Sequence, residues 1–382
     1  MSLFGEFSFF CVLAVVLTIA FVFGVLEKKQ YPLLLLFSIL FDVLAIGRDL
    51  KGLLFFGGYI FWELLVSTFY LKQRQKQGRN GRTYAVFLVL SLLPLVLSKI
   101  CGAAHVSLFQ ILGISYLTFK SAQVIIEIYD GVIKELSLPD MAQFLLFFPA
   151  VSSGPIDRSR RFTEDLHRNR SRQEYLELAG DGLEQLLIGV LYKFVISSLF
   201  FNLMELVSEE RSFPYMAAYA YCYGLYMFFD FAGYSRMAVG AGCFFGIVTP
   251  RNFNLPFISK DIKEFWDRWH ITLSYWFRDF LYSRFVMQSM RHKWFKDRLH
   301  TACAGFIVNM FVMGIWHGLT GYYILYGLYH GILLAANEIW QKKSKFYKKH
   351  KKEKWYQVLS WAVTMQLVMF GFLLFSGHLI QM

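Results

Sequence analysis

Charge is scarce in this chain: Asp, Glu, Lys and Arg make up 17% of its 382 residues while hydrophobic residues reach 56%. A typical soluble domain carries roughly 25% charged residues, so the shortage excludes an ordinary water-soluble fold. Cysteine offers no framework either. The five cysteines, Cys11, Cys101, Cys222, Cys243 and Cys303, form no CxxC pair and read as small apolar fillers. No HExxH occurs and no carboxylates stand at ligand spacing around His270 or His317, so no metal is expected. A GxSxG elbow, a Walker A loop and a GxGxxG fingerprint are all missing, which argues against serine-hydrolase and nucleotide chemistry. Met1 to Gly5 carry no Lys or Arg, and the apolar run that follows is longer than a signal-peptide core. It is expected to remain as a first transmembrane helix.

What is plentiful is apolar length and aromatic surface, with 41 Phe and 22 Tyr, residues suited to the level of lipid headgroups. Apolar runs lie near 5–26, 32–47, 53–71, 83–100, 108–128, 182–206, 215–232, 235–248, 302–318, 321–340 and 356–378. About 20 such residues cross a bilayer as a helix. The expectation is an all-α polytopic integral membrane protein with about eleven transmembrane helices. Two further stretches, 141–156 and 255–290, are apolar and aromatic but broken by Pro, Gly or charge, and read as re-entrant or interfacial. The chain reads as a single membrane domain over 1–382, with N-terminal helices to 128, a core over 129–340, and a basic loop and last helix from 341.

Basic residues cluster at 72–82, 158–172, 291–298 and 342–354, the last with eight lysines in thirteen residues. The positive-inside rule places all four clusters in the cytoplasm and both termini outside the cell membrane. The net charge of +12 is what that rule and anionic membrane lipids produce; a docking face for an acidic protein is the sharper reading. Nucleic acid is not expected, since no recognition module accompanies the charge.

The most informative stretch runs from Lys260 to Asp279 and holds eight charges among three Trp and three other aromatics. On a lipid-facing helix each central charge would cost about 2.5–3.5 kcal/mol. Protein, an interface or a wet cavity must therefore surround it. Helical spacing puts Lys263, Asp267, His270, Ser274 and Arg278 on one stripe, with Glu264 and Arg268 as a second i,i+4 pair. Asp267 then stands one turn before His270, in reach of its imidazole. The stripe is either the wet face of an interfacial helix or one wall of a polar passage. His317 ends the apolar run from Asn309 and is flanked by Trp316 and Gly318. An intramembrane histidine is a functional candidate by default, because a neutral imidazole can take a proton from a hydroxyl and pass it on. The alternative is a core histidine bonded to a carbonyl. His330 has the same profile and is expected to be structural, and His105, His167, His292, His300, His350 and His378 fall in loops or near span ends.

Four blocks, Phe229-Asp-Phe-Ala-Gly-Tyr-Ser235, Asn252-Phe-Asn-Leu-Pro-Phe257, Glu264-Phe-Trp-Asp-Arg-Trp-His270 with Ser274-Tyr-Trp-Phe-Arg-Asp279, and Trp316-His317-Gly318, resemble in order and spacing the signature of the membrane-bound O-acyltransferases. Leu112-Gly-Ile-Ser-Tyr-Leu-Thr-Phe119, Glu127-Ile-Tyr-Asp-Gly131 and Ser153-Gly-Pro-Ile-Asp-Arg158 with Arg161-Phe162 resemble the branch that moves D-alanine toward teichoic acid more than the alginate-acetylating branch. Asp267 stands where relatives often have Asn or Arg, and Ile271-Thr272 where Met-Ser is more usual.

The resemblance implies helices around a central tunnel, with His317 as catalytic histidine and His270 as a supporting one. It implies no bound cofactor. The donor would be a thioester on the phosphopantetheine arm of a small acidic D-alanyl carrier protein, and the acceptor teichoic acid outside the cell, with an extracytoplasmic partner protein. Trp266, Trp269 and Trp316 would wall the passage, and Asp267, Ser274, Arg278 and Asn309 would set its polarity. The segment 281–293, mixing Phe285, Val286 and Met290 with Arg284, Arg291 and Lys293, suits a carrier's apolar and acidic face or an interfacial anchor. Rival readings are transfer of acetyl or a longer acyl group to polysaccharide or lipid, a transporter or flippase of an activated intermediate, and a non-catalytic scaffold.

Overall fold

A computed structural model describes residues 1–47, 49–104, 111–210 and 212–379. His105 and the first residues of the run expected at 108–128 lie outside the described residues. Within them the chain is helical: α1 (Phe7–Val25), α2 (Tyr31–Ile46), α3 (Leu50–Gln77), α4 (Gly81–Ala103), α5 (Ile114–Asp130), α6 (Leu138–Leu146), α7 (Ser159–His167), α8 (Arg172–Val190) and α9 (Ser197–Val207). Then follow α10 (Phe213–Phe244), α11 (Ile262–Arg268), α12 (Ile271–Phe277), α13 (Ser283–Arg291), α14 (Arg298–His317), α15 (Gly321–Lys343), α16 (Lys345–His350) and α17 (Lys354–Phe375).

Among the described residues six stretches are long and apolar enough to cross a membrane: α1, α3, α4, the run Arg172–Val207, α14 and α17, with α2 a shorter apolar helix. Their outer faces carry exposed Val15, Leu54, Val89, Leu187 and Val358. A soluble surface does not sustain apolar area of that extent; lipid does. The expected count of about eleven is not reached on length and apolarity, and two boundaries change. The runs at 215–232 and 235–248 are one helix, α10, because Gly233 does not interrupt its hydrogen bonding and no proline falls between them. The run expected at 182–206 starts ten residues earlier, and a π turn, Leu191–Ile196, joins α8 to α9.

The chain divides into two compact units. The first comprises Met1–Val190 and Gly233–Pro250, the second Leu191–Ala232 and Arg251–Met382. The core of the first unit is aromatic: Phe9, Phe41, Phe148 and Phe245 follow one another in contact, Phe41 stacking on Phe148 at 4.3 Å. α5 is buried along most of its length, and its Gln123 donates to the Asp157 carbonyl at 2.8 Å, tying down the 153–158 loop. Arg161 pairs with Asp157 and with Asp165, so the segment directly after the 141–156 stretch is held by charge as well as packing.

Glycines permit the closest helix approaches. In the first unit a Cβ on Gly182 would lie 2.9 Å from the Gly240 carbonyl, and one on Gly189 2.8 Å from that of Gly233. The seven-residue spacing on both helices lets α8 and the end of α10 meet backbone to backbone, the small-residue mode of packing in lipid. In the second unit Gly314 and Gly327 play the same part between α14 and α15, with 3.1 Å between a Gly314 Cβ and the Gly327 Cα. Replacing Gly189 with Leu forces these helices apart, an overpacking cost of about 1–3 kcal/mol, and is expected to lower the melting temperature in detergent by several degrees. Gly180→Leu, on the same helix with open space at its Cβ position, leaves it unchanged. Size-exclusion survival after heating compares the two.

Candidate active site

The charged aromatic segment is two short helices rather than one. α11 is capped by Asp261, whose carboxylate accepts from the Lys263 and Glu264 amides at 2.9 Å and from the Gln341 side chain at 3.1 Å. It ends at Arg268, and α12 begins at Ile271. Between them His270 takes the left-handed conformation, φ +44, unusual for a residue with a Cβ. The backbone freed by the break is paired. Asn254 donates to the Arg268 carbonyl at 3.0 Å, Ile271 donates to the Asn252 carbonyl at 2.8 Å, and the Thr272 hydroxyl donates to the Asn252 side chain at 2.6 Å. The Asn252–Phe257 block therefore serves as the splint for the break.

This geometry corrects the single helical stripe. Lys263, Asp267, Ser274 and Arg278 do converge, but His270 leaves their line. Asp267 has Lys263 and Arg278 as its nearby cations, and burial raises its pKa. The His270 ring instead meets Phe231 edge-on at 4.7 Å, and its Nε2 is buried with no hydrogen-bond partner among the described residues. Orientation of His270 by Asp267 is thus not what the fold provides. Glu264 and Arg268 pair as their spacing predicts, at 2.9 Å.

A cavity of about 180 Å³ lies where these short helices face α14. It is lined by Lys263, Trp266, Asp267, Ser274, Tyr275, Arg278 and Tyr282 on one side and by Phe306, Asn309, Met310, Met313 and Leu334 on the other. Two of the lining residues each carry a buried polar atom, Trp266 Nε1 and Asn309 Oδ1, with no partner among the described residues. One is a donor and one an acceptor. A buried polar group left unmatched costs free energy, and a secondary amide carries the complement of each. The Arg278 guanidinium lies 4.0 Å over the Tyr275 ring and pairs with Asp279 at 3.0 Å.

Five expected passage residues, Trp266, Asp267, Ser274, Arg278 and Asn309, line the cavity; Trp269 and Trp316 do not. Trp269 is packed among Phe253, Phe265 and Phe372 at 4.9–5.5 Å, where it pins the helix break. Trp316 lies beside His317, ring centres 4.6 Å apart. His317 is half-buried, with Phe375 at 5.0 Å and Tyr323 at 6.0 Å, and it is near enough to His270 to bear on its charge. Neither histidine lines the cavity. Asn309, Met313 and His317 nevertheless recur every four residues on α14, so the cavity wall and the imidazole share one helix face, about 12 Å apart at helical rise.

Phe306, Met310 and Met313 join the expected residues on this wall; Phe306 and Met313 stand three and four positions from Asn309, and Met310 four from Phe306. His330 is fully buried under Trp266, rings 5.2 Å apart, and both its ring nitrogens are unmatched among the described residues. No group of His, Cys, Asp and Glu among the described residues could hold a metal ion.

In the segment beyond the cavity, Phe285 and Val286 are not the exposed apolar surface expected. Both are half-buried, and Val286 packs against the Gly305 position of α14. The outward apolar residues are Met287 and Met290, followed by Trp294 and Phe295, with Arg291 and Lys293 exposed among them. Arg284 is half-buried.

Comparison with known proteins agrees with this architecture. A family profile described as "MBOAT, membrane-bound O-acyltransferase family" matches residues 52–376. The chain is 39% identical to the "Teichoic acid D-alanyltransferase" of Bacillus subtilis (strain 168), covering 99% of this chain and 98% of that protein. It is 40% identical to the protein of that name in Streptococcus thermophilus, covering 98% and 95%. The "Probable alginate O-acetylase AlgI" of Pseudomonas aeruginosa is 31% identical over 71% of this chain but only 49% of its own length. With the match running through the helix break, its splint and His317, the chain belongs to the membrane-bound O-acyltransferase family and is a multi-pass membrane acyltransferase.

Proposed function

We propose that this protein transfers D-alanine from a thioester on the phosphopantetheine arm of an acidic carrier protein toward teichoic acid hydroxyls. The observation that carries the reading is likeness over nearly the whole chain to two teichoic acid D-alanyltransferases. The residues matched include a polar cavity and an intramembrane histidine on one helix face. Treating α1 to α5, the run Arg172–Val207, α10, α14, α15 and α17 as crossings gives ten, an even number. Both termini then lie on one side and the basic loops at 72–82, 158–172, 291–298 and 342–354 on the other, which the positive-inside rule makes the cytoplasm. The cell membrane is the compartment this implies.

A thioester is already activated, so the protein's task is to hold donor and hydroxyl together and move one proton. In the proposed reaction the acceptor oxygen attacks the thioester carbonyl carbon. A C–O bond forms and the C–S bond breaks. His317 takes the hydroxyl proton and returns it to the leaving thiolate, while His270 supports it from the helix break. The pantetheine arm carries amides, and Trp266 Nε1 and Asn309 Oδ1 supply the donor and acceptor that an amide needs.

Removing a general base costs about 10²–10⁴-fold in rate. His317→Ala is expected to lose D-alanyl transfer to that extent in proteoliposomes given carrier loaded with labelled D-alanine, while remaining inserted and monodisperse. Retention of transfer in that variant would favour a conduit over an enzyme. Asn309→Leu is expected to act differently, raising the KM for loaded carrier several-fold with a smaller effect on kcat, because it removes one binding contact and spares the proton transfer.

We assign carrier docking to the exposed Met290 edge of α13 with Arg291 and Lys293, an apolar patch rimmed by cations. Met290→Asp combined with Lys293→Glu is expected to weaken carrier binding about tenfold or more, with kcat at saturating carrier near wild type. Surface plasmon resonance against the carrier reads the first, and unchanged affinity would remove this face from the assignment.

A further inference from the structure

A larger cavity, about 540 Å³, lies in the first unit and shares no lining residue with the candidate active site. It opens at the end of the membrane-crossing helix α1, where the chain turns through Glu27–Gln30 toward α2, and the end of α7 with residues 168–170 forms its other wall. Four cations, Lys28, Lys29, Arg168 and Arg170, line it against two carboxylates, Glu27 and Asp165.

Those carboxylates are already engaged. Asp165 holds both Arg161 and Arg170 at 3.0 Å and accepts from the Val248 amide at 2.8 Å; Glu27 accepts from the Arg172 amide at 2.7 Å. Arg168 has only a long, exposed pair with Glu174 at 3.5 Å, which water and salt screen. Lys28 sits 5.7 Å from the Phe23 ring, and neither Lys28 nor the exposed Lys29 pairs with a carboxylate among the described residues. The cavity therefore presents uncompensated positive charge.

A second feature is an unmatched acceptor. Gln30 Oε1 is buried and has no partner among the described residues, since the neighbouring Tyr175 hydroxyl proton is directed at the Ala20 and Phe244 carbonyls at 3.2 and 2.9 Å. An occupant that complements both features pairs an anionic group with a hydrogen-bond donor, such as a hydroxyl. A third feature is the approach: Phe21 and Val22 on α1, and Leu26 directly after it, are exposed apolar residues next to the charged opening. A basic cavity at the end of a spanning helix, bordered by lipid-facing side chains, matches a phosphate headgroup with its acyl chains in the bilayer.

We propose that this cavity is a binding site for an anionic phospholipid whose headgroup carries a phosphate and a hydroxyl, as phosphatidylglycerol does. The site is independent of the acyl-transfer chemistry, and its test reads binding alone. The full-length protein in a neutral detergent is titrated with fluorescent phosphatidylglycerol and, separately, with fluorescent phosphatidylcholine. Saturable binding of the first with at least tenfold preference over the second is expected. At about fivefold per lysine at a membrane surface, Lys28→Gln with Lys29→Gln lowers that affinity about twenty-fivefold. Lys29→Gln alone gives the smaller step if the double variant does not fold, and Lys348→Gln with Lys349→Gln on the basic loop changes nothing. Millimolar glycerol phosphate, which lacks the chains, fails to displace the lipid. Equal binding of the two lipids, wild-type affinity in the Lys28 and Lys29 variants, or full displacement by glycerol phosphate would each overturn the proposal.

Discussion

A helix that breaks within an apolar environment leaves backbone groups that only protein can satisfy, and the pairing of residues 252–254 with 268–271 meets that demand here. Without water, each unmatched amide or carbonyl costs several kcal/mol. Asn252 supplies both a backbone carbonyl and a side-chain oxygen, and Asn254 supplies an amide, so the left-handed turn at His270 is held from outside its own helices. The loop that follows the splint is closed in turn: the Lys260 carbonyl accepts from Ser360 and Thr364, and the Phe257 carbonyl from Trp361. Polar side chains of α17 thereby finish the job that a continuous helix would do for itself.

Lipid supplies no hydrophobic force between helices, because tails are as apolar as leucine. Close approach has to come from residues with nothing in the way. Within the second unit the Gly314 and Gly327 contact does this for α14 and α15, and Gly331 extends it, a Cβ there falling 2.9 Å from the Ile307 Cα. Large side chains on the other faces of the same helices are then free to line the cavity or to pack aromatics. Gly371 serves a related end, leaving room for the His330 ring that backs Trp266.

The parts of this structure that follow from local pattern could be read in the sequence. Apolar runs located most helices, and the charges of 260–279 announced a segment that lipid could not hold. Glu264 and Arg268 paired as helical spacing requires. What spacing could not reveal was the break, since His270 sits in a left-handed turn stabilised by residues sixteen to eighteen positions earlier, and that is a tertiary effect. The same cause separates Trp269 from the passage: its ring is drawn into Phe253, Phe265 and Phe372, neighbours that no window of local sequence brings together. The division of α10 failed for the opposite reason. Gly233 falls between the two expected runs, but a lone glycine weakens a helix by only about 1 kcal/mol, and here it makes room for α8. Phe285 and Val286 had the composition of an exposed apolar edge, yet the side that packs on α14 is fixed by Gly305, which lies on another element.

For chemistry on a donor that is already activated, position matters more than any single acid or base, and α14 is suited to it. Asn309 and Met313 on the cavity wall and His317 at the helix end are fixed relative to one another by one set of backbone hydrogen bonds. Movement of the helix carries all three together. A loop could not hold that separation, since small misplacements of reacting groups cost large factors in rate. The glycine contacts with α15 stiffen the same rail, and Gly318 follows directly with an extended backbone that stops the helix after the imidazole. In the proposed reaction the part of the donor that carries no chemistry is gripped at one end of a rigid element while its carbonyl is presented near the other. Binding energy from the arm is thereby converted into alignment at His317.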